Sequence, residues 1–238
     1  MKLKPTQPCY LCGQPLDKPI NRDHYPPKQF FAARVIAENE NLQFKTHPVH
    51  VACNTAYKKD EDYFVQTFMP FVRGTYAGDA LYDQALETYR KGHNVGLVRK
   101  VLGQFERNPS GLILPGGKTA MRFDRPRTDR ILWKIVRGLF FEHFKRVLPQ
   151  DHRIITEYVV GDGAEPPQHF MQFRAELNPP AHGKHPGVFS YRFAELPVLD
   201  GGIEKPYYFA LLCWDKFLLT VFFHDVDCPC EECVPRAA

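Results

Sequence analysis

The chain has 238 residues, a formal net charge of +4 at pH 7, and 44% hydrophobic and 13% aromatic residues. This composition is sufficient for a sizeable apolar core, which excludes a wholly disordered chain. A mildly basic charge does not by itself require a nucleic-acid partner. The first ten residues lack an apolar signal region, so we expect no export and a cytoplasmic location. The longest apolar stretch, 207–223, is interrupted by Asp215 and Lys216, so we expect no membrane span and no membrane partner.

Seven cysteines, an odd number, argue against a fully paired disulfide framework and favour metal binding in a reducing compartment. Cys9 and Cys12 are separated by two residues, and His50 and Cys53 repeat that spacing. Two such pairs joined by a loop are typical of a tetrahedral structural zinc site, although unrelated free thiols remain an alternative. His47 competes as a ligand but lacks the two-residue spacing to Cys53. The sequence predicts a structural Zn²⁺ whose ligands are Cys9, Cys12, His50 and Cys53.

A second set of polar residues lies between the two ligand pairs. Asp23 is a hard oxygen donor suited to Mg²⁺ or Mn²⁺, and His24 titrates near neutrality and can take a proton from water. Adjacent strand residues face opposite sides, so these two share a site only where the strand ends or bulges, and Pro26 and Pro27 predict an end. Asn54 directly follows the last zinc ligand and offers a second oxygen to the metal.

The combination of Asp-His-x-x-Pro, Asn-Leu, and a ligand pair followed by Asn and a nearby Lys resembles the HNH endonucleases with their ββα-metal fold. The resemblance covers roughly the first quarter of the chain. It places His24 at the general base and Asn41 at the residue that orients the base. It places Asp23 and Asn54 at the ligands of a catalytic Mg²⁺ or Mn²⁺ ion.

The resemblance implies a metal-dependent endonuclease that hydrolyses phosphodiester bonds in DNA and leaves 5′-phosphate and 3′-hydroxyl ends. RNA remains an alternative substrate. Cleavage of both strands of a duplex would imply either a homodimer or two successive binding events by one chain. Two departures from the family occur. His50 stands where a cysteine is usual, which zinc tolerates, and residues 44–49 look like a small insertion.

The middle of the chain reads as helical. A short helix is predicted over 28–36, and another from about Asn54 to Pro70, with acidic residues in its first turn. Two packing helices follow at 79–91 and 94–107. A hairpin is then predicted over 112–123.

Residues 127–147 predict a long helix, with four basic residues recurring at helical spacing on one face. This stripe and two lysines near the zinc motif are candidate phosphate contacts, although a solvated helix face is an equally simple interpretation. The candidate nucleic-acid-binding residues are Lys58, Lys59, Arg127, Arg130, Lys134 and Arg137.

The last part of the chain is rich in β signals. Strands are predicted at 153–160, 169–177, 188–196, 207–214 and 217–223, which suggests an antiparallel sheet with the 127–147 helix on one face. Cys228, Cys230 and Cys233, with His224, are candidates for a second metal site, the alternative being an unstructured tail.

We therefore predict an α+β chain made of three segments. Residues 1–75 form the zinc-stapled ββα-metal module, 76–110 a helical connector, and 111–238 an α+β module of unknown function. Two other functions stay open. The zinc module could bind nucleic acid without cleaving it, or the nuclease could be an effector gated by a ligand or protein partner of the C-terminal module.

Overall fold

A computed structural model of the chain describes residues 7–17, 19–39, 42, 44–111, 114, 119–148, 153–160, 165–177, 185, 187–197 and 206–224. Its N-terminal part is an antiparallel strand pair followed directly by helices. In that pair Asp23 lies opposite His47. The elements are β1 (Ile20–His24), a 3₁₀ turn (Lys28–Phe30), α1 (Ala33–Glu38), β2 (Thr46–His50), α2 (Val51–Thr55) and α3 (Lys58–Phe68).

The middle of the chain is mostly helical, but the helix predicted over 94–107 ends at Leu102 and Phe105–Glu106 form a strand. It contains a 3₁₀ turn (Met69–Val72), α4 (Tyr76–Arg90), α5 (Val95–Leu102), β3 (Phe105–Glu106), a 3₁₀ turn (Pro109–Gly111) and β4 (Ala120–Met121). Helix α3 ends just before Pro70, in agreement with the sequence. Helix α4 begins earlier than predicted because the Thr75 hydroxyl, rather than Asp79, caps it by accepting a hydrogen bond from the Gly78 amide. Strands β3 and β4 pair with each other and flank the predicted hairpin tip, 115–117, which lies outside the described residues.

The C-terminal part confirms the predicted antiparallel sheet. Its strand order is β5-β8-β7-β6, and every neighbouring pair is antiparallel. The elements are α6 (Arg125–Phe144), β5 (Arg153–Val160), α7 (Gln168–Phe173), β6 (Phe189–Glu195), β7 (Tyr207–Cys213) and β8 (Phe217–His224).

The strand predicted at 169–177 is wrong, because this segment contains α7. Phe170, Phe173 and Leu177 recur at spacings of three and four residues, which places them on one side of a helix. In the fold they pack on the outer face of the sheet, against a cluster that includes Tyr208 and Phe222. A short apolar run does not distinguish strand from helix, and packing on the sheet decides between them.

One large apolar cluster joins all parts of the chain. Helix α6 lies within it and contacts the sheet, with Trp133 against Phe223 and Phe140 against Tyr207. On its other side α6 packs along α3, which also belongs to this cluster. The three-segment division stays a prediction, but buried residues from all three ranges share this core. Among the described helices, none has both the length and the apolar character needed to cross a membrane.

Candidate metal centre and adjoining cavity

The predicted zinc ligands come together at one end of the strand pair. Their ligand atoms all lie within 4.8 Å of one another. His50 Nδ1 is 3.4 Å from the sulfur of Cys12 and 3.9 Å from that of Cys53. A tetrahedral zinc ion with ordinary Zn–S and Zn–N bonds would separate its ligand atoms by about 3.5–3.8 Å. The cluster Cys9, Cys12, His50 and Cys53 therefore fits a metal ion such as zinc.

Local backbone structure places these four side chains. Cys9 and Cys12 lie on a turn in which the Gly13 amide donates to the Cys9 carbonyl at 2.7 Å, and Gly13 adopts a left-handed φ of +77° that suits glycine. His50 ends β2 and Cys53 lies in the following helix, α2, so the strand-to-helix junction brings this pair to the turn.

The outer nitrogen of His50 supports metal binding. Nε2 lies 2.8 Å from a carboxylate oxygen of Asp17 and 3.1 Å from the Pro15 carbonyl, and these two acceptors, closer than the Asp17 amide at 3.4 Å, favour the tautomer with its hydrogen on Nε2. Nδ1 then keeps its lone pair and faces the thiols, which is the usual arrangement of a ligating histidine. Burial, the hydrogen bond with Cys12 and the negative charges of the neighbouring thiolates raise the pKa of Cys53 to about 12. A cation between the thiolates would offset their mutual repulsion.

A cavity of about 260 Å³ lies beside this cluster. It is lined by the end of β1, the turn after it, α2 and the first turns of α3. His24, Asp23 and Asn54 all line this one cavity. The Asn54 amide donates to the side-chain oxygen of Asn21 at 3.2 Å. Asn41, the fourth predicted catalytic residue, lies outside the described residues, as do Cys228, Cys230 and Cys233 of the predicted second metal site.

His24 is half-buried at the rim of the cavity. Its ring meets the ring of Phe44 edge-on, with centroids 5.3 Å apart. Burial lowers the pKa of His24, and the positive charges of Lys28 and Lys134 lower it further, which together outweigh the opposing effect of Asp23. The imidazole is therefore neutral at pH 7 and able to accept a proton.

Asp23 is almost fully buried, with 2% of its surface exposed. One carboxylate oxygen lies 2.7 Å from Lys134 Nζ, and the other accepts a hydrogen bond from the Tyr10 hydroxyl. Burial and the nearby Asp23 keep the pKa of Tyr10 far above its ordinary value, so this hydroxyl stays a donor. Lys134 also pairs with Glu61, which accepts a hydrogen bond from Gln29 at 2.9 Å.

Two residues of the predicted basic stripe do not face solvent. Lys134 is 1% exposed and neutralises buried carboxylates. Arg137 is 3% exposed and donates to the carbonyl oxygens of Leu11 and Leu148. The expectation that these two contact phosphate is corrected, because a buried cation with internal partners cannot reach a ligand on the surface.

The other two stripe residues are partly exposed and also have partners. Arg127 and Arg130 each lie 2.6 Å from a carboxylate oxygen of Asp60 on α3. Their guanidinium groups lie over the rings of Tyr63 and Tyr57, at 4.2 and 4.4 Å from the ring centroids. The stripe is thus mainly an ion-pair seam between α6 and α3. Its partners on α3, Asp60 and Glu61, are acidic residues that the sequence predicts in the first turn of a helix.

Lys58 and Lys59 are exposed in the first turn of α3. Of these two predicted contacts, Lys58 lines the cavity and Lys59 does not. Sequence reasoning missed Tyr10, Glu61 and Gln29. The position of Tyr10 between two zinc ligands was a signal that could have drawn attention to it.

No protein-family model, no curated protein and no solved structure matches this chain.

Proposed function

We propose that this protein is a metal-dependent endonuclease of the HNH type that hydrolyses phosphodiester bonds in DNA. The observation that carries the proposal is the meeting of His24, Asp23 and Asn54 at one cavity beside a Cys₃His cluster. A strand pair followed by a helix, with the base at the end of the first strand, is the arrangement that the family resemblance implies.

The donor atoms suit a hard divalent cation such as Mg²⁺ or Mn²⁺. Asp23 and Asn54 would hold it, since both line the cavity and carry side-chain oxygens. The Asp23 carboxylate accepts one hydrogen bond at each oxygen, which leaves lone pairs for a cation. When bound, the ion supplies charge neutralisation at the phosphate and at the leaving oxygen.

His24 would act as the general base. Its neutral imidazole takes the proton of the attacking water as the water oxygen bonds to phosphorus, and the bond to the 3′ oxygen breaks. The edge-on contact with Phe44 restricts the orientation of the ring. His24 ends β1 and lines the cavity, so the cavity is the side from which a phosphate would approach it.

The positive charges around the cavity match a phosphate backbone. Lys58 and Lys28 line the cavity itself. Lys59 follows Lys58 in the first turn of α3, and the partly exposed Arg130 lies on α6, which packs along α3. Lysine and arginine at such positions contribute affinity rather than sequence specificity.

Nicking of a supercoiled plasmid with Mg²⁺ or Mn²⁺ tests the proposal, with His24→Ala beside the wild-type chain. His93→Ala is the matched control, because His93 is exposed in the turn between α4 and α5. We expect nicking by the wild-type and control chains and its loss in His24→Ala, with fold and bound metal retained. Equal nicking by all three would refute the assignment of His24.

Binding of the plasmid by the wild-type chain without any cleavage would favour the alternative of a nucleic-acid binding module. The same assay on a labelled RNA of matched sequence separates DNA from RNA as substrate. Hydrolysis of the RNA alone would contradict the DNA assignment while leaving the role of His24 in place.

A further inference from the structure

Tyr10 links the metal cluster to the cavity. It lies between Cys9 and Cys12 on the same turn, and it is 1% exposed. Its hydroxyl donates to the Asp23 carboxylate, and its ring packs at 6.2 Å from that of Phe141 on α6. The turn that carries the metal ligands therefore also supplies a hydrogen-bond donor to the cavity.

Lys134 is the second residue that contacts the Asp23 carboxylate. It belongs to α6, far from Asp23 in sequence, and its ammonium group lies 2.7 Å from the oxygen that Tyr10 does not contact. Lys134 also pairs with Glu61. One ammonium group therefore lies between two buried carboxylates.

We propose that Tyr10 and Lys134 are positioning residues that hold the Asp23 carboxylate in one orientation toward the divalent cation. This inference rests on the proposed function. Rotation of a carboxylate about its last bond is otherwise only weakly restricted. Donors on both oxygens, from two separate elements of the fold, remove that freedom. Lys134 divides its contacts between Asp23 and Glu61, so its ammonium group is not paired with Asp23 alone.

A purely structural role for the same contacts is the rival explanation, because buried ion pairs also occur in cores without any site nearby. The two explanations differ in what they predict for cation binding. Loss of an orienting partner of a metal ligand typically weakens metal affinity about 10–100-fold. Loss of a purely structural contact lowers the stability of the fold and leaves the affinity of the folded protein unchanged.

Two variants of the full-length protein separate these explanations. Tyr10→Phe removes only a hydroxyl. The double variant Lys134→Met with Glu61→Gln removes one cationic and one acidic side chain together, and Glu61→Gln alone is compared with it because Glu61 also lines the cavity. Tyr89→Phe is the control, since the Tyr89 hydroxyl donates to Gln66 and neither residue lines the cavity.

The measurement is Mn²⁺ affinity by titration calorimetry, with zinc content and circular dichroism as checks on the fold. We expect both variants to bind Mn²⁺ about 10–100-fold more weakly than the wild-type chain and to keep their zinc. Tyr89→Phe should match the wild type. Nicking by Tyr10→Phe should recover at high Mn²⁺, which shows weakened cation binding rather than a damaged base.

Unchanged Mn²⁺ affinity in folded Tyr10→Phe overturns the inference, and this variant decides alone if the double variant does not fold. A wild-type chain that binds no Mn²⁺ overturns it as well. Failure of the proposed function looks different. In that case Mn²⁺ binding responds to Tyr10→Phe, but His24→Ala still nicks the plasmid.

Discussion

The indole nitrogen of Trp214 donates a hydrogen bond to the carbonyl oxygen of Phe30 at 2.9 Å, across 184 positions of the chain. The two rings lie 4.9 Å apart, and Phe30 stacks in turn on Phe64 of α3. Trp214 occupies the turn between β7 and β8. The turn between two strands of the C-terminal sheet therefore packs in the same core as Phe64 of α3, a helix whose first turns line the cavity.

Trp214→Phe should lower the free energy of unfolding by about 2 kcal/mol, because it removes the donor to a buried carbonyl and leaves space around a smaller ring. Urea unfolding followed by circular dichroism measures this change. Trp133→Phe is the control, since Trp133 is only partly buried and donates none of the hydrogen bonds found in the described part of the chain. A loss no greater than that of the control would contradict a stabilising role for this bond.

Cys12→Ser should release one zinc ion per chain and lower the free energy of unfolding by more than about 4 kcal/mol, because a structural metal site would be lost. Cys213→Ala is the matched control, as Cys213 is fully buried in β7 and lies outside the metal cluster. Metal analysis of the purified proteins checks both. Equal zinc in Cys12→Ser and wild type would exclude this cluster as the site. A wild-type content of one zinc would also remove the predicted second site at 228–233.

Stability should fall in mild acid because of His47. Burial, with the nearby cations Lys145 and Arg22, lowers the pKa of His47 to about 4 despite the opposing charge of Glu142. The unfolded chain takes up this proton near pH 6.5, whereas the folded chain does so only near pH 4. Stability linked to His47 is therefore complete above pH 6.5 and is lost progressively as the pH falls toward 4.

The expected loss from this single group is about 2 kcal/mol between pH 7 and pH 5. His47→Phe should show a smaller loss, since it keeps the stacking on Tyr25, whose ring lies 4.6 Å away, and has no proton to bind. Urea unfolding at the two pH values measures the difference. The same pH dependence in both proteins would exclude His47 as its source.

Lys58→Ala should weaken DNA binding at every sequence and reduce the slope of log affinity against log salt by about one. Lys58 is exposed and lines the cavity, so its ammonium group can meet a phosphate there. Fluorescence anisotropy with a labelled duplex gives both quantities, measured in a His24→Ala background to prevent cleavage. Lys91→Ala, an exposed lysine outside the cavity lining, should leave the slope unchanged. Equal slopes for both variants would show that Lys58 does not contact the DNA phosphates.

The sequence by itself determined features that depend on local geometry. The spacing of Cys9 to Cys12 and of His50 to Cys53 follows from the shape of a tight turn and of a strand-to-helix junction, so both pairs could be read directly. The alternation in β6 likewise follows from strand geometry. In the same way Pro70 predicts the end of α3, because proline cannot continue a helix.

Only the tertiary structure decided the partners of the charged residues. Helical spacing places Arg127, Arg130, Lys134 and Arg137 near one another, but it does not tell whether that face meets solvent or another helix. Helix α3 lies against it, so Lys134 pairs with Glu61 of α3 inside the protein, and Lys134 also reaches Asp23 of β1. The hydrogen bond from Tyr10 to Asp23 could not be predicted from the sequence either, because it requires contact between β1 and the turn that carries Cys9 and Cys12. Burial and pairing depend on residues that are distant in the chain, and a local pattern carries no information about them.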